Sequence, residues 1–174
     1  TFNKAPNYSL CTDPDDKIQL TDGKYGSEGT LNNSAAALWM QKSTVGWGGV
    51  MPVVITIDLG SVQPISGVSY STAAGRAGVT WPMSIYIATS DDNKTWHYAS
   101  DLVQLSQKNS VPPAEGYKAF RYVTHDLKTT GRYISFGVVD EPLSIPYVFV
   151  DEIEVYKGDD AWLNQLASSH VTPS

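Results

Sequence analysis

The sequence predicts an all-β domain, a jelly-roll β-sandwich of about eight mainly antiparallel strands. Three observations carry this. Short segments alternate apolar and polar residues with the period of two that a half-buried strand requires. Turn formers are abundant, with 14 Gly and 10 Pro in 174 residues. No helix-period segment long enough for a crossover separates the alternating runs, so neighbouring strands pair antiparallel.

The elements follow in chain order. Residues 1–17 (TFNKAPNYSLCTDPDDK) are polar and contain two prolines, and they read as an ordered arm leading into the sandwich. Leu20–Gly23 (LTDG) is a turn signal. Ser34–Met40 (SAAALWM) has room for one helical turn. In VVITIDLG, Val53, Ile55, Ile57 and Leu59 fall on one face, with Thr56 and Asp58 on the other. A turn containing Pro64 precedes a second strand, Ile65–Ser71. Met83–Ser90 alternates through Met83, Ile85 and Ile87, and Asp91–Thr95 links it to a returning strand, Trp96–Leu102. A long polar loop covers Gln104–Lys118. The strand Phe120–Leu127 turns Phe120 and Tyr122 inward, and the next, Arg132–Val139, buries Ile134, Phe136 and Val138. The last strand is Tyr147–Tyr156. These form one module, residues 1–157 with the arm. Residues 158–174 form a tail, in which Asp159 or Asp160 caps a short helix bearing Trp162, Leu163 and Leu166 before a linker, SSHVTPS. A linker after a complete sandwich suggests that more protein follows.

Composition narrows the partners. The formal net charge is −6 and no Lys/Arg cluster occurs, which argues against nucleic acid and against an anionic membrane surface. The one cysteine, Cys11, makes neither an internal disulfide nor a zinc site, and reads as a small apolar filler. No apolar run reaches the 18 residues that suggest a membrane-spanning helix. Catalytic signatures such as G-x-S-x-G, H-E-x-x-H and a phosphate-cradling glycine loop are absent, so the chain reads as a non-enzyme.

The motifs LTDG, ITIDLGSVQPISGVSY, SIYIATSDDNKTW, RYISFGVV and DEIEVY, in this order over residues 18–157, resemble the discoidin-like domains. These are the coagulation factor V/VIII type C domains, which include carbohydrate-binding module family 32. The resemblance implies a galactose-binding-like jelly roll, ligand contacts from loops at one end, and a structural calcium ion. It further implies a secreted or cell-surface protein whose module is covalently linked to a catalytic domain, with a polysaccharide or glycan as partner.

A hard cation takes oxygen ligands. Asp22, in its glycine turn, is the first candidate, and Ser27 and the backbone at Lys24 and Tyr25 can add oxygens. The resemblance supplies a carboxylate from the terminal strand, with Glu152 preferred over Glu154. For the sugar, aromatic rings stack on pyranose faces and planar polar groups meet hydroxyls. Trp47 lies between glycines in TVGWGG, Arg76 and Trp81 lie in TAAGRAGVTW, and Asp140, Glu141 and Tyr147 lie in DEPLSIPY. Trp47 fits the core equally well, and the position of Trp81 before Pro82 favours packing. Trp39 and Trp96 read as core residues. His97, His125 and His170 read as solvated. The competing functions are a protein- or phospholipid-binding adhesion module, with Val50 and Met51 as an apolar spike, and a structural spacer.

Overall fold

The computed structural model describes residues 1–26, 37–142 and 145–167. It is an all-β jelly-roll sandwich. The elements are α1 (Asp16–Gln19), a 3-10 turn at Leu38–Met40, β1 (Val45–Gly48), β2 (Val53–Ala74), β3 (Ser84–Ser90), β4 (His97–Asp101), α2 (Leu102–Ser106), β5 (Lys118–Thr124), β6 (Thr129–Val139), β7 (Tyr147–Val150), β8 (Glu152–Lys157) and α3 (Trp162–Ala167). The larger sheet runs β4-β3-β6-β2-β5 with β8 also on β2, and β1 pairs with β7. Every pairing among these strands is antiparallel.

The two runs expected around Pro64 form one long strand, β2. Its first half pairs with β6, and its register slips between Asp58 and Gln63. Gly60 lies in this break at φ +85°, a conformation that side chains disfavour. The second half then lies between β5 and β8, with Ser69 opposite both Val123 and Glu154. Pro64 stands in the resumed pairing opposite Thr130, and its carbonyl accepts the Gly158 N–H at 2.9 Å. Both halves feed one core. Val53 and Ile55 pack with Ile85, Ile87, Ile134, Phe136 and Val138, as the alternation predicts, and Ile65, Val68 and Tyr70 join the same core.

Four details differ from expectation. Met83 stands just before β3 and is 53% exposed, because alternation there has not begun. Trp96 is 37% exposed, as it belongs to the hairpin and precedes β4. The polar loop after β4 opens with α2, because the Asp101 carboxylate accepts the Val103 N–H at 3.0 Å and caps a turn that buries Leu102. The final strand is two strands. Asp151 breaks it, donating its N–H to Ser71 O at 3.1 Å, so that β7 joins β1 and β8 joins β2.

The arm packs on the sandwich. Phe2 bridges to Ile55, and the Thr1 ammonium donates to Thr56 O at 2.7 Å. The Asn7 side chain accepts from Gly48 N at 2.7 Å and donates to Gly48 O at 3.0 Å. Cys11 is fully buried beside Gly46. Trp39 is buried, as expected. Ahead of α3, Asp159 accepts the Ala161 N–H at 2.9 Å, and the Trp162 ring lies against Gly158. His170, the linker 168–174 and part of the 34–40 turn lie outside the described residues.

Candidate functional site

Thr80 and Pro82 meet Asp140 and Tyr147 around a void of about 10 Å³. The 75–80 turn is held by its own backbone. Gly75 N donates to Val79 O and Val79 N to Arg76 O, both at 3.0 Å. Gly75, Ala77 and Gly78 have φ of +95°, +55° and +79°. Gly75 also passes directly against the Gly116 carbonyl, which brings the 111–117 loop alongside. Arg76 is exposed where this turn begins, bridged to Val79 across the tip Ala77–Gly78, and Thr80 is exposed just after it.

The six candidate sugar contacts divide into exposed and buried groups. Arg76 and Glu141 face solvent, and Tyr147 is half-buried with its ring stacked on Phe149 at 6.2 Å. Trp81 is also half-buried. Its ring meets Phe120 and Tyr122 edge-on at 5.9 and 6.4 Å, and its Nε1–H donates to Pro113 O at 3.0 Å. It therefore serves mainly as packing.

Two of the candidates are corrected outright. Trp47 is 0% exposed. The segment read as an open glycine loop is strand β1, where Trp47 packs edge-on against Phe2 at 5.1 Å and its Nε1–H donates to Lys4 O at 2.8 Å. The flanking glycines admit close neighbours instead of exposing the ring. A Cβ on Gly46 would stand 2.7 Å from both Cys11 Sγ and the Phe149 ring. Asp140 is 3% exposed, and its Oδ2 has no hydrogen-bond partner. Burial pushes its carboxyl up to about 7, the neighbouring Glu141 adds to the shift, and the Tyr147 N–H opposes it. It is a buried acid beneath the loop, whereas its neighbour Glu141 is a surface one.

Thr80 did not stand out in the sequence. Its one signal there is a hydroxyl on a small-residue turn. Tyr117, half-buried in the 111–117 loop, is a further ring at this end. Its hydroxyl accepts the Leu38 N–H at 2.9 Å and its ring meets Trp39 at 5.4 Å, which ties that loop to the 37–41 segment.

The residues read as metal ligands are also brought together in part. Gly23 N donates to Glu152 Oε2 at 3.1 Å, and Ile153 N donates to Leu20 O at 2.6 Å. This pins the Asp22 turn to the start of β8. Lys24 N closes the turn on Asp22 Oδ1 at 2.9 Å. Burial pushes Glu152 up to about 7; the Gly23 N–H opposes this, and the adjoining Asp22 carboxyl adds to it. The two adjoining carboxyls are oxygen donors of the kind a hard cation takes, while no group of three His, Cys, Asp or Glu that could hold a metal ion occurs among the described residues. Ser27 lies outside the described residues.

The F5/8 type C domain family matches residues 16–153. Among solved structures, the family 32 carbohydrate-binding module of AlyQ, in complex with 4,5-unsaturated mannuronic acid, shares 16% identity at a TM-score of 0.51, covering 90% of this chain and 92% of that one. The first family 32 module from a family 31 glycoside hydrolase of Clostridium perfringens shares 14% identity at a TM-score of 0.51, covering 90% and 93%. Similarity at these identities is a similarity of fold. No curated protein matches the chain.

Proposed function

The chain belongs to the F5/8 type C domain family, and from that premise we propose that it is a non-catalytic carbohydrate-binding module that meets a glycan with the loops 75–82 and 140–147. The observation that carries this reading is the Arg76 turn. It presents the exposed residue Arg76 on a turn closed by two backbone hydrogen bonds, in a loop that also carries the half-buried Trp81 and whose Thr80 and Pro82 line a void together with Tyr147. A guanidinium offers five N–H donors in a planar fork, suited to sugar hydroxyls and carboxylates. The rings offer apolar edges to a pyranose. A scaffold of antiparallel strands supplies the rigidity that such loops need. The related folds, named as carbohydrate-binding modules, support the same reading.

On this reading the module is secreted or displayed at a cell surface, and it holds a covalently linked glycan-active enzyme near its substrate. Calcium is held by Asp22, Glu152 and the carbonyls of the Leu20–Tyr25 turn, and its role is structural. When bound, it neutralises two adjoining carboxylates and fixes the turn to β8. Chelation is expected to lower the melting temperature by several degrees, and Glu152→Gln to abolish that calcium response. An unchanged melting temperature in chelator removes calcium from the reading.

The direct test is a glycan array followed by affinity electrophoresis on the polysaccharides that score. Binding to at least one glycan, weakened by Arg76→Ala, is the expected result. Affinity for a single sugar should be modest, since a shallow site buries little area against the cost of association. Failure to retain any polysaccharide, with the fold intact, defeats the proposal.

A further inference from the structure

The acceptor triplet for N-linked glycosylation is Asn-x-Ser/Thr, with x any residue but proline. It occurs at Asn7-Tyr8-Ser9, Asn32-Asn33-Ser34 and Asn93-Lys94-Thr95. The second lies outside the described residues. The first and the third have opposite surroundings.

Asn93 stands in the hairpin between β3 and β4, where residues 91–95 are all exposed. Other side chains hold this turn. The Asp92 carboxylate accepts the N–H groups of Lys94 and Thr95, at 2.9 and 2.8 Å. The Ser90 hydroxyl accepts those of Asp92 and Asn93, at 3.3 and 2.9 Å. Asn93 has φ of +62°, a left-handed conformation in which asparagine is enriched. Its side-chain amide has no hydrogen-bond partner among the described residues. The turn thus uses the backbone of Asn93 and leaves its amide to solvent.

The Asn7 amide is spent on structure. Its Nδ2 donates to Gly48 O at 3.0 Å, and its Oδ1 accepts from Gly48 N at 2.7 Å. The backbone N–H groups of Asn7 and Tyr8 both donate to Gly46 O, at 3.1 and 3.2 Å. The Tyr8 ring meets Phe149 edge-on at 4.8 Å. An enzyme can grip this triplet only after the arm has left β1.

We propose that Asn93 is a site of N-linked glycosylation, open in the folded chain, and that Asn7 is closed to it by the fold. The donor is an oligosaccharide carried on a lipid diphosphate. A C–N bond forms between Asn93 Nδ2 and the anomeric carbon of the first sugar. The bond from that carbon to the diphosphate oxygen breaks, and the diphosphate leaves with the bonding pair. Nδ2 gives up one proton to the transferring enzyme. The step is a substitution and needs no oxidant or reductant.

The position separates this modification from the candidate glycan contacts. Met83 N donates to Val139 O where β3 begins, beside the 75–82 loop, whereas Ser90 pairs with Tyr133 at the hairpin end. The seven residues of β3 span roughly 20 Å between the two. A glycan on Asn93 therefore leaves the loops 75–82 and 140–147 uncovered. It stands beside Trp96 and the outer edge of β4, where a bulky solvated group hinders edge-to-edge pairing between copies. The proposal holds whether or not the loop end binds glycan.

The test treats the unglycosylated chain, folded and denatured, with a lipid-linked oligosaccharide and a purified single-subunit oligosaccharyltransferase that requires only the triplet. Peptide mapping by mass spectrometry reads the products. The folded chain is expected to carry oligosaccharide on the Asn93 peptide and none on the Asn7 peptide, while the denatured chain carries it on both. Asn93→Gln and Thr95→Ala should each abolish transfer to the hairpin. If the first variant does not fold, the second, which keeps Asn93, makes the same test. In the glycosylated chain, amide NMR shifts should be confined to the hairpin and its flanks, with residues 75–82 unmoved. Absence of transfer to Asn93 in the folded chain, transfer to Asn7 at an equal or greater rate there, or shifts reaching residues 75–82 overturns the proposal.

Discussion

Two segments of this chain look alike in sequence and differ in structure. TVGWGG and TAAGRAGVTW are both glycine-rich, small and aromatic. The first is strand β1, sealed between the arm and β7. The second is a turn at the open loop end. In β1 glycine is used for closeness, since Gly46 lets Cys11 and Phe149 approach to distances no side chain would permit. In the turn glycine is used for backbone conformation, since Gly75 and Gly78 lie at positive φ, and a Cβ on Gly78 would meet nothing within 4 Å. The same contrast separates two adjacent acids, Asp140 beneath the loop and Glu141 upon it. Composition alone cannot tell a sealed glycine segment from an open one.

The largest effect should come from the sealed side. Trp47→Ala removes a fully buried ring and its hydrogen bond to Lys4. The expected loss is about 3–5 kcal/mol in denaturant unfolding. A variant with wild-type stability and lost glycan binding would reverse the assignment of the two segments.

Asp140→Asn follows, with the opposite sign. The folded chain holds Asp140 near 7 against an ordinary value of 3.8, so the fold prefers the neutral acid. Its contribution to stability is fully present below about pH 4, is lost as pH rises toward 7, and is flat above that. The amide does not ionise. Above pH 7 the variant should therefore be the more stable, by up to roughly 4 kcal/mol from the size of the shift. Comparing variant and wild-type unfolding from pH 4 to 8 isolates this residue from Asp16 and Glu152, which titrate in both. Equal pH profiles would mean that Asp140 is solvated and belongs to the open side.

Gly46→Ala and Gly78→Ala test the two uses of glycine directly. The first forces a methyl against Cys11 and Phe149 and should cost about 1–3 kcal/mol by overpacking. The second strains only the turn backbone and should cost about 1 kcal/mol. Thermal unfolding of the pair checks the order, and a more damaging Gly78→Ala would contradict it.

The fold was legible because its signal is periodic. Alternation placed Val53, Ile55, Ile85, Ile87, Ile134, Phe136 and Val138 in the core without any tertiary knowledge. The site was less legible because exposure is a tertiary property. Nothing local distinguishes Trp47 from a loop tryptophan, since its burial depends on an arm about 40 residues away closing over it through Lys4 and Asn7. The proximity of Asp22 and Glu152 came from the family resemblance, not from spacing.

The smallest effect on stability, and the sharpest separation of the two regions, is expected for Arg76→Ala. Its turn is closed by backbone hydrogen bonds between residues 75, 76 and 79, none of which uses the side chain. Truncating an exposed residue there should change stability by no more than about 0.5 kcal/mol, or a shift of roughly 1–2 °C in melting temperature for a chain of this size. Loss of charge-assisted hydrogen bonds to a glycan should weaken binding about tenfold or more. Affinity electrophoresis and thermal unfolding of the same preparation separate these readouts. A large loss of stability would make Arg76 part of the scaffold, while unchanged affinity would move the glycan contact off this turn and leave Glu141, Tyr147 and Thr80 to carry it.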